Sequence, residues 1–154
     1  RTDCIDLAPM AEEVLVDLTP LAQKNGITLT QTGENVQLTG SDVLLYRVLF
    51  NLTENAIKYN RTGGSVELSV EQEHGQAAIR VRDTGPGIAE EYRDSIFQPF
   101  FRVDKSRSRA MGGVGLGLAL VQEIVRLHGG TVRVEQSSED GTTILVLLPI
   151  HGRA

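Results

Sequence analysis

Two runs of alternating apolar residues set the frame for this chain. Val66, Leu68 and Val70 point one way along the first, Ala77, Ile79 and Val81 do so along the second, and His74-Gly75 lies between them. A period of two is the signature of a strand with one buried face, and a short turn containing Gly joins the two runs into a hairpin. Glu67, Ser69, Glu71, Arg80 and Arg82 alternate to the opposite side, which predicts a sheet covered on one face and wetted on the other. A lone hairpin is barely stable in water, so the covering layer must come from the rest of the chain.

Three stretches carry helical spacing. Met10 to Lys24 has Pro9 in its first turn and presents Val14, Leu15, Leu18, Leu21 and Ala22 on one side. Pro20 predicts a kink in it, and Asn25-Gly26 predicts its end. Ser41-Asp42 is a good N-cap pair for a second helix running through Tyr59, with Leu45, Leu49, Leu52 and Ala56 as its core stripe. Gly115 to His128 reads as a third, stopped by Gly129-Gly130. Ile5 to Leu7 is a short strand. Ile27 to Gln31 and Val36 to Thr39 read as a hairpin around Gly33, and Thr131 to Gln136 and Thr142 to Leu148 as another around Asp140-Gly141. The expectation is one domain over residues 1–154, of class α/β (α+β). It is a two-layer sandwich with a mixed, mainly antiparallel sheet and three helices packed on one face.

Charge and cysteine content narrow the function. Lys plus Arg total 15 against 20 Asp plus Glu, a net charge of −5, whereas a non-specific nucleic-acid binder needs a basic surplus to displace counterions. The single cysteine, Cys4, excludes an internal disulfide and a Cys-based metal cage. No apolar run approaches the roughly 20 residues of a bilayer-spanning helix, and no signal peptide is visible, so the reading is cytosolic without direct membrane insertion of this segment. The sequence opens on Arg1 rather than Met, which reads as a segment of something longer.

Four clusters carry chemistry. In the helix Asn51 to Tyr59, residues Asn51, Asn55 and Lys58 fall within a sector of about 60° beside the core stripe. Asn is a poor helix-interior residue, so two of them one turn apart are either a solvated polar face or a set of oxygen donors for a hard cation, with Lys58 close to phosphate. Asp83-Thr84-Gly85-Pro86-Gly87-Ile88 follows a strand directly. It is either an ordinary turn or a loop whose glycines let backbone approach a ligand while Asp83 accepts a hydrogen bond.

The third cluster, Ile96 to Arg109, holds three of the four phenylalanines. Arg102, Lys105, Arg107 and Arg109 against Asp104 leave it with a local surplus of +3. A solvated charge run is the plain interpretation; beside a glycine run, such cations describe an anion site. The fourth, Gly112 to Leu118, runs into a helix and offers free N–H groups of the kind that bind phosphate. It is neither a dinucleotide fingerprint, because its third glycine is misplaced, nor a Walker A loop, because no Gly-Lys-Ser/Thr occurs. About 30 residues of mostly irregular sequence between Asp83 and Gly113 join these clusters, and loops of that length in a compact domain are usually functional.

Taken in this order, the clusters resemble the N, G1, F and G2 boxes of sensor histidine kinases of two-component systems. Asn51 to Tyr59 looks like the N box, Asp83 to Ile88 the G1 box, Ile96 to Asp104 the F box and Gly113 to Leu118 the G2 box. The likeness extends over nearly the whole chain, including His128-Gly129-Gly130 and Gly141-Thr142-Thr143. It implies the Bergerat ATP-binding fold of the histidine kinase-like ATPases, with ATP and Mg²⁺ as cofactors. By that resemblance Asn55 completes the metal shell and Asn51 sits beside metal and phosphates. Asp83 accepts from the adenine amine, Gly87 and Ile88 line the base pocket, and Gly85 is also among the nucleotide-binding residues. Tyr59 packs against the nucleotide, with Thr143 also among its contacts, and Lys58 reaches the phosphates. Arg102 and Lys105 act from a lid over about residues 98–111, and Gly113, Gly115, Leu116 and Gly117 present backbone N–H groups. Val114 departs from the more usual Thr or Ser, which removes a hydroxyl contact there. Catalytic work falls to Asn51, Lys58 and Arg102.

Hydrolysing relatives place a glutamate where this chain has Asn51, which cannot accept a proton, and Glu54 lies about 100° round the helix from Asn55. That favours transfer to a protein over hydrolysis. The resemblance puts the acceptor histidine on a helical dimerisation domain whose His-Glu/Asp-x-Arg-x-Pro motif is not in this sequence; His74, His128 and His151 are not expected to be phosphorylated. The implied partners are that domain and the receiver domain of a response regulator. The isolated chain is then a monomer unable to autophosphorylate, cut from a homodimeric, membrane-anchored parent. A non-enzymatic nucleotide-sensing module and an anti-sigma-type serine kinase of the same fold are the competing readings.

Overall fold

The computed structural model describes residues 2–99, 101 and 117–150. Strand β1 (Asp3–Asp6) leads into helix α1 (Leu7–Asn25), followed by β2 (Thr28–Gly33) and β3 (Gln37–Gly40). Helix α2 (Asp42–Lys58) precedes the hairpin of β4 (Ser65–Glu73) and β5 (Gln76–Asp83). Two 3-10 turns, Glu90–Tyr92 and Ser95–Phe97, lie in the irregular stretch, and helix α3 (Gly117–Leu127) leads to the closing hairpin of β6 (Thr131–Ser138) and β7 (Gly141–Pro149).

The five-stranded sheet has the order β2-β4-β5-β7-β6. The β2–β4 pair is parallel, and the β4–β5, β5–β7 and β7–β6 pairs are antiparallel. The expected mixed two-layer sandwich is present, with three α-helices among the described residues. Val66, Leu68, Val70, Ala77, Ile79 and Val81 are all buried, and α1, α2 and α3 supply Val14, Leu18, Leu45, Leu49, Leu52, Val121 and Ile124 to the same core. His74 and Gly75 both take positive φ, 53° and 78°, which is the type I′ turn that matches strand twist in a tight hairpin.

Helix ends follow the sequence signals. Ser41 Oγ accepts from Leu44 N–H at 3.2 Å as the N-cap of α2. Helices α1 and α3 both end in paired backbone bonds of the Schellman type. Ile27 N–H donates to Ala22 O and Gly26 N–H to Gln23 O, while Gly130 N–H donates to Val125 O and Gly129 N–H to Arg126 O. Helix α1 continues through Pro20, whose missing N–H leaves the carbonyl of the exposed Val16 to solvent. His128 ties α3 to the start of α2: Nδ1 meets Ile124 O at 2.8 Å and Nε2 accepts from Ser41 N–H at 3.0 Å, which specifies the neutral Nδ1–H tautomer.

One expected pairing is corrected. Residues 27–31 and 36–39 do not form a hairpin around Gly33. Strand β2 pairs in parallel with β4, and β3 pairs antiparallel with β1 in a separate two-stranded sheet. The chain leaves the main sheet after Gly33, with Glu34 N–H bonded to Val70 O. It then turns to the start of α1, where Val36 O accepts from Leu7 N–H and Asn35 Oδ1 from Ala8 N–H. Those bonds satisfy amides that the first turn of α1 cannot satisfy itself. The crossover through α2 then brings β4 beside β2, a long-range pairing that local spacing does not encode.

On the helix-free face, Arg80 bonds Glu73 and Glu135, and Arg82 pairs with Glu67 at 3.7 Å. The alternating polar side of the hairpin is therefore half-wetted, as its pattern predicts.

Candidate nucleotide site

Helix α2 is the spine of the site. Asn51, Asn55, Lys58 and Tyr59 are half-buried along one side of it, next to the buried Leu52 and Ala56. The Asn51 amide Nδ2 donates to Gly117 O, the first residue of α3, at 3.3 Å. Lys58 Nζ lies 3.9 Å from Glu54 Oε2, one turn back. The Asn55 side chain makes no hydrogen bond within the described residues, so its carbonyl oxygen is free to ligate.

At its C-terminal end α2 abuts the loop after β5. A Cβ on the buried Gly85 would lie 2.9 Å from Tyr59 O, so only glycine lets this loop close on the helix end. Asn60 braces the junction: Nδ2 donates to Ser65 O at 2.9 Å, and Oδ1 accepts from Thr84 Oγ1 at 3.2 Å and from Arg61 N–H at 2.7 Å. Asp83 is half-buried there. Its Oδ1 accepts from Gly85 N–H at 2.9 Å and from Thr142 N–H at 3.2 Å. Burial pushes the carboxyl above its ordinary 3.8, against the opposing pull of those two amides. Both bonds fall on one oxygen, which leaves Oδ2 without a partner among the described residues.

The far side of the loop rests on the β6–β7 turn. Gly87 has φ +87°, and a Cβ there would lie 2.1 Å from Ser138 O, so no other residue fits. Ile88 N–H donates to Ser137 Oγ at 2.8 Å, and that hydroxyl lies 2.7 Å from Thr142 Oγ1. Arg93 donates from Nη2 to Ser137 O at 3.0 Å and from Nε to Ile88 O at 3.4 Å.

The structure thus joins Asn51, midway along α2, to Gly117, and gathers Tyr59, Asp83, Gly85, Gly87 and Ile88 at the C-terminal end of that helix. Thr143 is not brought to Asp83. It is paired with Arg82 in the β5–β7 register, so it alternates to the helix-free face, and Thr142 is the residue that reaches Asp83. Arg102, Lys105, Gly113, Gly115 and Leu116, and most of the expected lid, lie outside the described residues. Asn60, Arg93, Ser137 and Thr142 were missed by sequence reasoning. Thr142, directly after Gly141 and opposite Asp83 once the hairpin register is drawn, was the one with a readable signal.

What the arrangement can hold follows from its donors. One saturated and one open carboxylate oxygen, in a half-buried loop with glycine-enforced backbone approach, suits a flat ligand that presents a hydrogen-bond donor. Among the described residues there is no cluster of three or more His, Cys, Asp or Glu able to cage a metal. A lone Asn oxygen beside a lysine instead fits a hard cation that arrives with phosphates and keeps most of its other ligands.

Comparison with known proteins places the fold and the sequence in a family. The family of histidine kinase-, DNA gyrase B- and HSP90-like ATPases matches residues 40–152. The sensor protein CutS of Streptomyces coelicolor is 35% identical over 147 residues, which cover 95% of this chain and 36% of that protein. The sensor histidine kinase RppB of Synechocystis is 38% identical over 151 residues, covering 97% of this chain and 33% of that protein. The chain therefore spans about a third of the length of these curated relatives. The mycobacterial sensor histidine kinase MprB superposes with a TM-score of 0.85 at 30% identity, covering 99% of this chain and 100% of that one. Full-length ShkA in complex with AMPPNP does so with 0.87 at 27%, covering 99% and 32%. Histidine kinase ThkA in complex with the response regulator TrrA gives 0.80 at 25%, covering 97% and 42%. With its fold and its sequence both matching, the chain belongs to the histidine kinase-, DNA gyrase B- and HSP90-like ATPase family.

Proposed function

We propose that this chain is the ATP-binding catalytic domain of a two-component sensor histidine kinase, serving a histidine on a separate helical dimerisation domain. The observation that carries the reading is the Asp83 carboxylate, with Oδ1 saturated by the Gly85 and Thr142 amides and Oδ2 left open. In this reading Oδ2 accepts from the adenine amine, and Gly85, Gly87 and Ile88 shape the wall around the ring. Tyr59 and Lys58 extend the contact towards the sugar and phosphates. Asn55 offers its oxygen to Mg²⁺, which when bound neutralises phosphate charge for phosphoryl transfer. Arg102 and Lys105 steady the outer phosphates, while Gly113, Gly115, Leu116 and Gly117 supply N–H groups. ShkA, whose fold this chain shares, holds a nucleotide analogue, which supports a nucleotide here.

Transfer is favoured over hydrolysis by Asn51. An amide cannot take a proton from water, and here it is occupied in donating to Gly117 O. Glu54 is turned to Lys58 instead. The phosphoryl group then passes from the acceptor histidine to a response-regulator aspartate. The ThkA–TrrA assembly supports such a partner. No helix among the described residues is long and apolar enough to cross a membrane; the domain works on the cytoplasmic side of a membrane-anchored, homodimeric parent.

The test is transfer in trans. Radiolabelled Mg-ATP, this chain and the parent's helical acceptor domain together should give acid-labile, alkali-stable label on an acceptor histidine, with none on this chain alone. ATP binding without any transfer, or acid-stable label on serine, would overturn the kinase assignment.

A further inference from the structure

Arg93 follows the first 3-10 turn and is half-buried. Glu91 and Asp94 stand close by in sequence, yet among the described residues no carboxylate pairs with it. Its guanidinium is spent on backbone: Nη2 on Ser137 O and Nε on Ile88 O. Ile88 belongs to the loop after β5 and Ser137 to β6, so one side chain clamps two segments that share no regular backbone pairing. Ser137 Oγ continues the connection. It accepts from Ile88 N–H and shares a hydrogen bond of 2.7 Å with Thr142 Oγ1, and Thr142 N–H ends on Asp83 Oδ1.

The geometry points to Arg93 as a positioning residue for base selection. By fixing Ile88 against β6 it sets the distance between Ile88 and the Asp83 carboxylate, and so tunes the site for a purine carrying a 6-amino group. This rests on the reading that Asp83 accepts from adenine. A planar fork with several donors can hold two carbonyls at once, which a lysine ammonium on a flexible stem does poorly. Arg93 touches no ligand in this role; it acts through Ile88 and Ser137.

The experiment compares Mg-ATP with Mg-ITP, which shares sugar and phosphates but carries an oxygen at the 6-position. Dissociation constants are measured by calorimetry on the 154-residue chain and on Arg93→Met, Arg93→Lys and Ser137→Ala. The wild type should prefer ATP. Arg93→Met should lose about tenfold in ATP affinity, the value of roughly one hydrogen bond, with ITP changed by less than about twofold. Arg93→Lys should recover part of the preference. Ser137→Ala, which removes the hydroxyl holding Ile88 N–H and leaves the carbonyl that Arg93 uses, should lower the same ratio by loosening Ile88, while Arg93→Lys serves as the test of Arg93 if Arg93→Met does not fold. An unchanged ATP-to-ITP ratio in a folded variant, whether both affinities fall or neither does, assigns Arg93 a merely structural role and overturns the inference. A wild type that binds both alike refutes the adenine reading itself, and the inference with it.

Discussion

Thr142 N–H donates to Asp83 Oδ1 at 3.2 Å, and because the two residues face each other in the β5–β7 register, the sheet itself orients this carboxylate. Gly85 N–H fixes the same oxygen from the loop side. The carboxylate proposed to read the base is thus held by backbone N–H groups from two directions.

Asp83→Asn separates stability from recognition. Burial holds the folded-state carboxyl above 3.8, so the folded protein binds the proton more tightly than the unfolded chain. Stability from this group therefore falls as pH rises through the interval above 3.8. Asparagine keeps a carbonyl oxygen for both amides and carries no charge. Thermal melts should show the variant at least as stable as wild type near pH 7, with the gap closing as pH falls towards 3.8. ATP affinity should drop about 10- to 100-fold, because an amide N–H₂ now confronts the ring amine.

Gly87→Ala attacks the loop without touching the carboxylate. At φ +87°, with a Cβ 2.1 Å from Ser138 O, the loop must shift off the β6–β7 turn. A cost of about 1–3 kcal/mol in denaturant titration is expected, together with weakened nucleotide binding. Wild-type affinity in this variant would show that the loop's fit to β6 is irrelevant to the site.

Thr53→Val should stabilise. Thr53 is fully buried in α2, and Oγ1 has no hydrogen-bond partner among the described residues. Valine keeps the shape and removes the unsatisfied hydroxyl, for a gain of about 1 kcal/mol at the denaturation midpoint. A loss would reveal a partner for that hydroxyl, such as a buried water.

Arg80→Met tests the helix-free face. Arg80 bonds Glu73 and Glu135 at 2.6 and 2.7 Å, and these bonds hold both carboxyls below their ordinary 4.5. Depressed carboxylates stabilise the fold above 4.5, and that contribution is lost as pH falls through their lower folded-state values. The groups are partly exposed and screened, so the loss at pH 7 should be about 1 kcal/mol or less, shrinking steadily in melts taken below pH 4.5. ATP binding should be unchanged.

Much of this fold was legible because local physics and tertiary pairing agree. The alternation of Val66 to Val81, the Ser41 cap and the Gly26 and Gly129 stops each have one structural solution. Residues 27–39 show where that agreement ends. Two apolar runs around a glycine look like a hairpin, yet Val36 and Asn35 are committed to the start of α1 and β2 to a parallel partner more than thirty residues away. The same limit governs the site. Asp83, Gly85 and Gly87 announce themselves by type and spacing, whereas Thr142 and Thr143 are told apart only by which face of β7 each occupies. Arg93 gave no signal at all, since its partners are carbonyls, which every residue has.

The central claim is that the polar side of α2 and the Asp83 loop form one Mg-ATP site, and calorimetric titration of ATP with Mg²⁺ and with chelator, on wild type and Asn55→Ala, tests it most directly. The account expects a single site in wild type that Mg²⁺ tightens, and in Asn55→Ala a metal-free affinity left within about twofold while most of the Mg²⁺ enhancement disappears. No ATP binding in wild type, or the same Mg²⁺ enhancement with and without Asn55, would contradict it.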